Sequence, residues 1–391
     1  MINFLTAGES HGRQLSIIVE GVPAGLIVDK NIINKMLSER QKGFGRGERM
    51  KIERDEVVFT SGIRAGVTLG SPISMVIENR DWENWKEVMS PDLKGINYEI
   101  ASEKKVLNPR PGHADLPGAI KYNQKDLRNI LERASARETA ARVAVGSLLS
   151  QLLAEFGMDV VSYVVKIGGI SADMDKDLNI DDIKNRLNTS KLRCLDKKVE
   201  EMMIARIKEA MEDGDTLGGV FEVKAKNIPV GLGSYTQWDK RLNANLAKAL
   251  MSIPGIKGVE IGMGFEAANK FGSMVHDEIH YNEKRKFYRE TNNAGGIEGG
   301  ISNGEDIILR AAMKPIPTLN RGLSSVNIIS KEEHRSSYER SDICVLPAVS
   351  VVGWSMVVIE LTKAFLEKFG GDNMEEIKRN YKGYKEYLNS F

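Results

Sequence analysis

Apolar positions recur along this chain with two different periods, and the two are interleaved without regular order. Short alternating or continuous apolar runs, bounded by turn residues, read as strands. They fall at Leu15–Val19, Val57–Thr60, Ile73–Ile77, Val160–Ile167, Gly219–Ala225, near Val259–Met263, and at Ile307–Ala312. Steps of three and four predict helices over Asn31–Glu39, with Asp29 as its cap, over Val199–Met211 and over Leu242–Met251. The longest helical pattern spans Asp126–Phe156, and Gly157 ends it. Leu127, Ile130, Leu131, Ala134, Ala141 and Val145 keep its spacing, but the stripe lapses across a Ser/Arg/Glu section where a ligand would need polar contact. Tyr338–Ile359 runs from the polar Arg340-Ser341-Asp342 into an apolar helix whose first turn accommodates Pro347. Asp173–Asn188 reads as a charged surface loop with a short helix, and Asn292–Gly304 as a Gly-rich loop. Two prolines hold Lys314–Thr318 extended. Strands and helices are mixed without βαβ alternation, which predicts an α+β fold rather than a doubly wound sheet. No repeat or linker divides the chain. The expected organisation is one domain over residues 1–370 and a charged helical tail over 371–391.

Composition narrows the class. The 391 residues are 41% hydrophobic and 28% charged, ordinary for a globular enzyme. A formal net charge of +1 removes any global field that would draw in nucleic acid or an anionic membrane, so positive potential has to be local. Aromatics at 6% give little for base stacking, and no nucleic-acid partner is expected. Cys194 and Cys344 lack metal spacing and read as buried thiols rather than a disulfide. The N-terminus has no signal-peptide pattern. No apolar run reaches the roughly 18 residues of a membrane span. The nearest, Ile343–Ile359, is interrupted by Ser350, Gly353 and Ser355. The expected setting is the cytoplasm, with no membrane contact.

The chemistry concentrates in a few stretches. Asn108–Gly146 places Arg110 and His113 in a rigid Pro/Gly turn, then sets Arg128, Arg133, Arg137 and Arg142 among small residues. Alanine and serine there leave room for something flat against the backbone, with guanidinium groups at its edge. His11 sits between glycines in Gly8-Glu9-Ser10-His11-Gly12, which leaves its imidazole unshielded. Arginine binds carboxylate and phosphate through paired donors, so Arg40, Arg46, Arg110, Arg133 and Arg340, beside Gly, Pro or small residues, point to an anionic ligand. The Gly-rich Arg40–Arg54 reads as a mobile loop, but Glu48 breaks a GxGxxG pattern and no GK[ST] follows. His276 and His280 stand four apart, as a metal pair would on a helix, but their flanks do not read as one, and no metal is expected. Ser10 and His11 are adjacent in sequence, so their side chains do not face each other as a nucleophile and base would.

Four motifs in register resemble the chorismate synthases: Gly8-Glu9-Ser10-His11-Gly12, Arg110-Pro111-Gly112-His113-Ala114-Asp115, Arg133-Ala134-Ser135-Ala136-Arg137-Glu138-Thr139 and Arg340-Ser341-Asp342. The resemblance runs from residue 3 to about residue 370. It implies a fold of helices between antiparallel sheets, assembled as a tetramer. It implies conversion of 5-enolpyruvylshikimate 3-phosphate to chorismate and phosphate, the last shared step toward the aromatic amino acids. The cofactor implied is reduced FMN (FMNH2), with no net redox change; FAD and NADP are terms that accompany the family. The resemblance makes His11 the acid that protonates departing phosphate. It puts His113 by the flavin ring and Asp342 at removal of the ring hydrogen. Ser10, Arg40, Arg46, Arg49, Arg110 and Arg137 would bind substrate. Flavin contacts would come from Arg133, Ala134, Ser135, Pro254, Gly255, Gly299, Lys314, Pro315, Ile316, Pro317, Thr318 and Arg340. Pro254-Gly255 replaces a more polar pair, so that contact would run through backbone. Arg40 and Arg46 match positions assigned to NADP, but with no reductase domain visible the flavin is expected to be reduced by an external flavin reductase.

Overall fold

A computed structural model of the chain describes residues 2–47, 54–173, 178–337 and 342–391. Two antiparallel sheets enclose a layer of helices. The first sheet has the order Asn3–Ala7, Gln14–Glu20, Ile73–Glu78, Val57–Ser61. Its inward positions Leu15, Ile17, Val19, Ile73, Met75 and Ile77 are buried, while Leu5, Ile18 and Val58 on the other face are exposed. The second sheet has the order Ile256–Ile261, Ile307–Met313, Gly219–Lys226, Asp159–Ile167, Ile170–Ser171. The alternation thus selects the face of each sheet that meets the helices. The predicted strand near Val259–Met263 lies three residues earlier because Gly262, at φ +59°, turns the chain against Asn293.

The helix Leu346–Phe369 forms the middle of the molecule, with Pro347 in its first turn. It packs on the helices Lys30–Gln41, Thr139–Ala154 and Leu242–Met251 and on two strands of the larger sheet. By length and composition it could cross a membrane, but 78% of its apolar window is buried inside the protein, which makes it a core helix. The residues that interrupt its apolar run have structural uses. Ser350, Ser355 and Thr362 donate their hydroxyls to carbonyls three or four residues back, so each is buried without an unmet donor. A Cβ on Gly353 would stand 2.2 Å from the Phe221 ring, and one on Gly146 would stand 2.6 Å from the Ser355 Cα. Both glycines therefore set how closely the helix approaches its neighbours. The Trp354 indole donates to the Val160 carbonyl at 2.7 Å, tying helix to sheet. Cys194 and Cys344 are buried and form no disulfide, and burial pushes the Cys344 thiol up to about 11.

The single helix expected over Asp126–Phe156 is two helices, Arg128–Ala134 and Thr139–Ala154, separated by a 3-10 turn at Ala136–Glu138. Ser135 breaks it. Its backbone is extended (ψ 143°), and its hydroxyl accepts from the Arg137 amide at 3.3 Å to cap the next segment. The break turns the Ala136 carbonyl to Arg40 Nη2, at 2.9 Å. After the core helix, Asn373 caps Met374–Ser390, which buries Met374 and Ile377 and packs Tyr381 among Phe156, Phe365 and Phe369.

Candidate active site

Each of the two loop histidines is backed by a buried carboxylate. The loop carrying His11 connects the first two strands, and Glu132, from the helix Arg128–Ala134, holds it. The Glu132 carbonyl accepts from the Ser10 amide at 2.9 Å and Oε2 from the His11 amide at 2.8 Å. Oε1 meets His11 Nδ1 at 2.8 Å, and Arg128 Nη1 donates to the same oxygen at 3.1 Å. Burial pushes the Glu132 carboxyl up. The hydrogen bonds and charge of His11, and then the charge of Arg128, outweigh it and leave the group below its ordinary value. The His11 ring stacks on Trp85, with centroids 3.8 Å apart and planes 24° apart.

His113 repeats the arrangement in a tighter form. Gly112, at φ +82°, turns the chain so that Arg110, His113 and Asp115 meet. Asp115 is fully buried. It accepts from the Arg110 backbone amide at 3.1 Å, from Nε at 2.8 Å and from Nη2 at 3.0 Å, and it meets His113 Nδ1 at 2.6 Å. Burial raises the Asp115 carboxyl, but the His113 and Arg110 hydrogen bonds and charges hold it far below the usual range. Arg110 Nη1 donates to Thr318 Oγ1 at 3.0 Å, so the Lys314–Thr318 segment is tied to the same network.

The arginines are likewise paired within the protein. Arg137 Nη1 reaches both oxygens of Asp55 at 2.6 Å, and Arg40 Nη1 lies 3.8 Å from the same carboxylate. Arg40 Nε donates to Thr139 Oγ1 at 3.0 Å. Arg46 Nε lies 3.2 Å from Asp342 Oδ2, and the Gly47 amide donates to Oδ1. A cavity of about 1490 Å³ joins these groups. Of the residues expected from sequence, Ser10, His11, Arg40, Arg46, Arg110, His113, Arg137 and Asp342 line it, as do Ala134, Ser135, Pro254, Gly255 and Lys314 to Thr318. Burial, and then the charge of Lys257, push Lys314 below its ordinary value, and its amine donates to the Gly112 carbonyl.

Two expected residues lie elsewhere. The Arg133 guanidinium donates to the carbonyls of Gly8 and Thr6 and to Thr6 Oγ1, and lines an adjoining hollow of about 410 Å³ with Glu138 and Arg142, which shares Ala134 and Pro254 with the cavity. Gly299 sits in the turn between Ile297–Glu298 and Ile301–Ser302, away from the cavity lining. Arg49 and Arg340 fall outside the described residues. His276 closes a turn and His280 lies on the strand Ile279–Asn282 against Tyr288, both apart from this cavity. Sequence reasoning missed Glu132, Trp85 and Asp55 as parts of the site, and passed over Asp115 inside a motif it had singled out. Asp115 carried a local signal, two residues after His113, and so did Glu132, four residues after Arg128 on one helix.

Two carboxylate-backed imidazoles at the wall of a cation-rich cavity define an enzyme that acts on a small molecule. The profile of the family described as chorismate synthase matches residues 2–366. The chain is 54% identical to a chorismate synthase of Geobacter sulfurreducens over 398 aligned positions, covering 100% of each chain. It is 56% identical to one of Desulforamulus reducens, covering 99% of each. A solved structure described as a crystal structure of chorismate synthase superposes with a TM-score of 0.81 at 44% identity, covering 100% of this chain and 99% of that one. The chain belongs to the chorismate synthase family, carbon–oxygen lyases of aromatic amino acid biosynthesis.

Proposed function

We propose that this chain, through a catalytic domain spanning residues 1–370, converts 5-enolpyruvylshikimate 3-phosphate to chorismate and phosphate. The reaction is an anti 1,4-elimination that needs reduced FMN and has no net redox change. The observation that carries this reading is one cavity lined by both histidines, each backed by a buried carboxylate. At about 1490 Å³ it exceeds the roughly 300–1,000 Å³ of a pocket for one drug-sized ligand, so it has room for two.

The residues present fit a flavin. Ala134, Ser135 and Ala136 are small, and Val345, Ala348, Val349 and Val352 add an apolar surface suited to an aromatic ring system. A Cβ on Gly112 would come within 3.2 Å of Lys314 Nζ, and one on Gly255 within 3.0 Å of Met313, so side chains there would fill the space. Ala134, Ser135, the Pro254-Gly255 backbone and Lys314 to Thr318 would hold the cofactor. When bound there, reduced FMN would supply the reversible electron donation that loss of an allylic phosphate needs.

The chain's own residues position charge and move protons. Ser10, Arg40, Arg46 and Arg137 hold the substrate's carboxylates and phosphate, and Arg110 adds the N–H groups that Asp115 and Thr318 leave to it. A guanidinium has five N–H donors, so an internal acid and a ligand oxygen fit on the same group. The internal acids also explain how so many cations stay buried before a ligand arrives. His11 gives its proton to the departing phosphate. His113, with its Nδ1 committed to Asp115, presents its other nitrogen to the flavin. Asp342 handles the hydrogen lost from the ring after leaving Arg46 and the Gly47 amide. Arg40 and Arg46 belong to this cavity and serve the substrate. Reduction of the flavin falls to a separate reductase rather than to NADPH bound here. The working form is a cytoplasmic homotetramer.

The test is anaerobic incubation of folded protein with substrate and reduced FMN, followed by chorismate absorbance. Product forms with reduced FMN and not with oxidised FMN or none. Folded protein that yields no product, or that shows only salt-sensitive nucleic-acid binding without need of flavin, contradicts the reading.

A further inference from the structure

We infer that Glu132, with Trp85, is the positioning device that fixes His11 as a proton donor through Nε2. The inference deepens the proposed reaction and rests on it. Residue 132 reaches the Ser10–His11 loop three times: by its carbonyl to the Ser10 amide, by Oε2 to the His11 amide and by Oε1 to Nδ1. An ionised carboxylate only accepts, so Nδ1 carries hydrogen, and the proton that His11 exchanges with the ligand is the one on Nε2. Arg128, donating to Oε1, keeps the carboxylate ionised and in place.

Trp85 completes the device. It covers the imidazole face at 3.8 Å, and its own indole donates through Nε1 to Asp81 Oδ2 at 3.0 Å. The Arg128 guanidinium and the Lys104 amine stand over the same indole, 5.1 and 5.5 Å from its centroid. A ring flip would break the bond to Glu132, and turning the ring out of its plane would also break the stack. Among the described residues, the charged groups facing His11 are Glu132 and Arg128 from one helix, and Asp81 and Lys104 through Trp85. No periodicity marks Glu132 or Trp85, because they meet His11 across 121 and 74 residues of chain.

Glu132→Gln keeps the shape but offers one acceptor where His11 brings two N–H donors. By the size of general acid contributions, turnover should fall about 10²-fold. KM and FMN affinity should stay within about threefold, because the loss is in the transition state. The basic limb of the kcat profile should move to lower pH. Glu132→Asp should recover part of the turnover. Trp85→Phe should retain most of it, and Trp85→Leu should lose about tenfold. A readout independent of turnover is the tautomer. In protein with 15N-labelled histidine, His11 is identified by the signal missing from His11→Ala. It should carry hydrogen on Nδ1 in the wild type and shift toward the Nε2–H form in Glu132→Gln. A neutral Nε2–H form of His11 in the wild type, or Glu132→Gln with normal turnover and pH profile, would overturn the inference. If Glu132→Gln does not fold, the wild-type spectrum and the Trp85 variants decide. A wild type without turnover would overturn the reaction but not the positioning, which the spectrum tests alone.

Discussion

Replacing Asp115 by Asn tests the buried network directly. The change is nearly isosteric, so it removes charge rather than volume. The wild-type carboxylate is fully buried and answers the Arg110 backbone amide, Arg110 Nε and Nη2, and His113 Nδ1. Arg110 itself keeps only 7% of its side chain exposed, so the variant leaves a buried guanidinium without its counter-charge. Breaking a buried pair by removing one partner costs about 3–5 kcal/mol. The 391 residues, at about 2.1 cal/mol/K each, give an unfolding entropy near 0.8 kcal/mol/K. The melting temperature should therefore fall by about 4–6 °C at pH 7. The pH dependence has a definite sign. The Asp115 carboxyl lies below its ordinary value in the folded state, because the His113 and Arg110 interactions outweigh burial. Its stabilisation is complete above the unfolded value of about 3.9 and is lost as pH falls through the folded one. The gap between wild type and variant should narrow below about pH 4, where the carboxylate is lost from the wild type too. Thermal unfolding followed by circular dichroism, with a rescan to establish reversibility, measures both. A melting temperature within about 1 °C of wild type at pH 7, or a gap that does not narrow below about pH 4, would refute the reasoning.

His11→Ala should lower turnover by about 10²–10⁴-fold while FMN affinity, measured by fluorescence titration, changes little; equal losses in both would contradict its role as the acid. Asp342→Asn should lower turnover with flavin still bound, and near-normal turnover would exclude Asp342 from hydrogen removal. Gly146→Ala should lower the melting temperature by about 1–4 °C, since overpacking costs about 1–3 kcal/mol and the new Cβ would meet Ser355 at 2.6 Å. An unchanged melting temperature there would show that the helices separate without cost.

Much of the scaffold was legible because its signals are local. Alternation marks the inward face of Gln14–Glu20 and Ile73–Glu78, and Pro347 marks the start of the core helix. Glycine and proline around His11 and His113 marked both segments correctly as loops, but the His11 imidazole is not left unshielded, because Trp85 covers one face and only 12% of the side chain is exposed. The edge strand Asn3–Ala7 was missed because only Phe4 and Leu5 are large and apolar there, and its pairing comes from the neighbouring strand. The break at Ser135 was hidden because helix-forming residues continue on both sides of it. The arginines showed that anions matter, but part of the answer is internal: Asp55, Asp115, Glu132 and Asp342 neutralise them. Asp115 and Glu132 lie close in sequence to Arg110 and Arg128, but Asp55 and Asp342 are far in sequence from Arg137 and Arg46, and periodicity does not encode such pairings.

The central claim is that one cavity eliminates phosphate with the help of a flavin it does not consume. Anaerobic turnover with substrate in large excess over reduced FMN measures this directly, by following chorismate, phosphate and the flavin spectrum together. The account predicts one phosphate and one chorismate per substrate lost, many turnovers per flavin, and reduced flavin at the end. Chorismate limited to the amount of flavin oxidised, or phosphate released without chorismate, would contradict it.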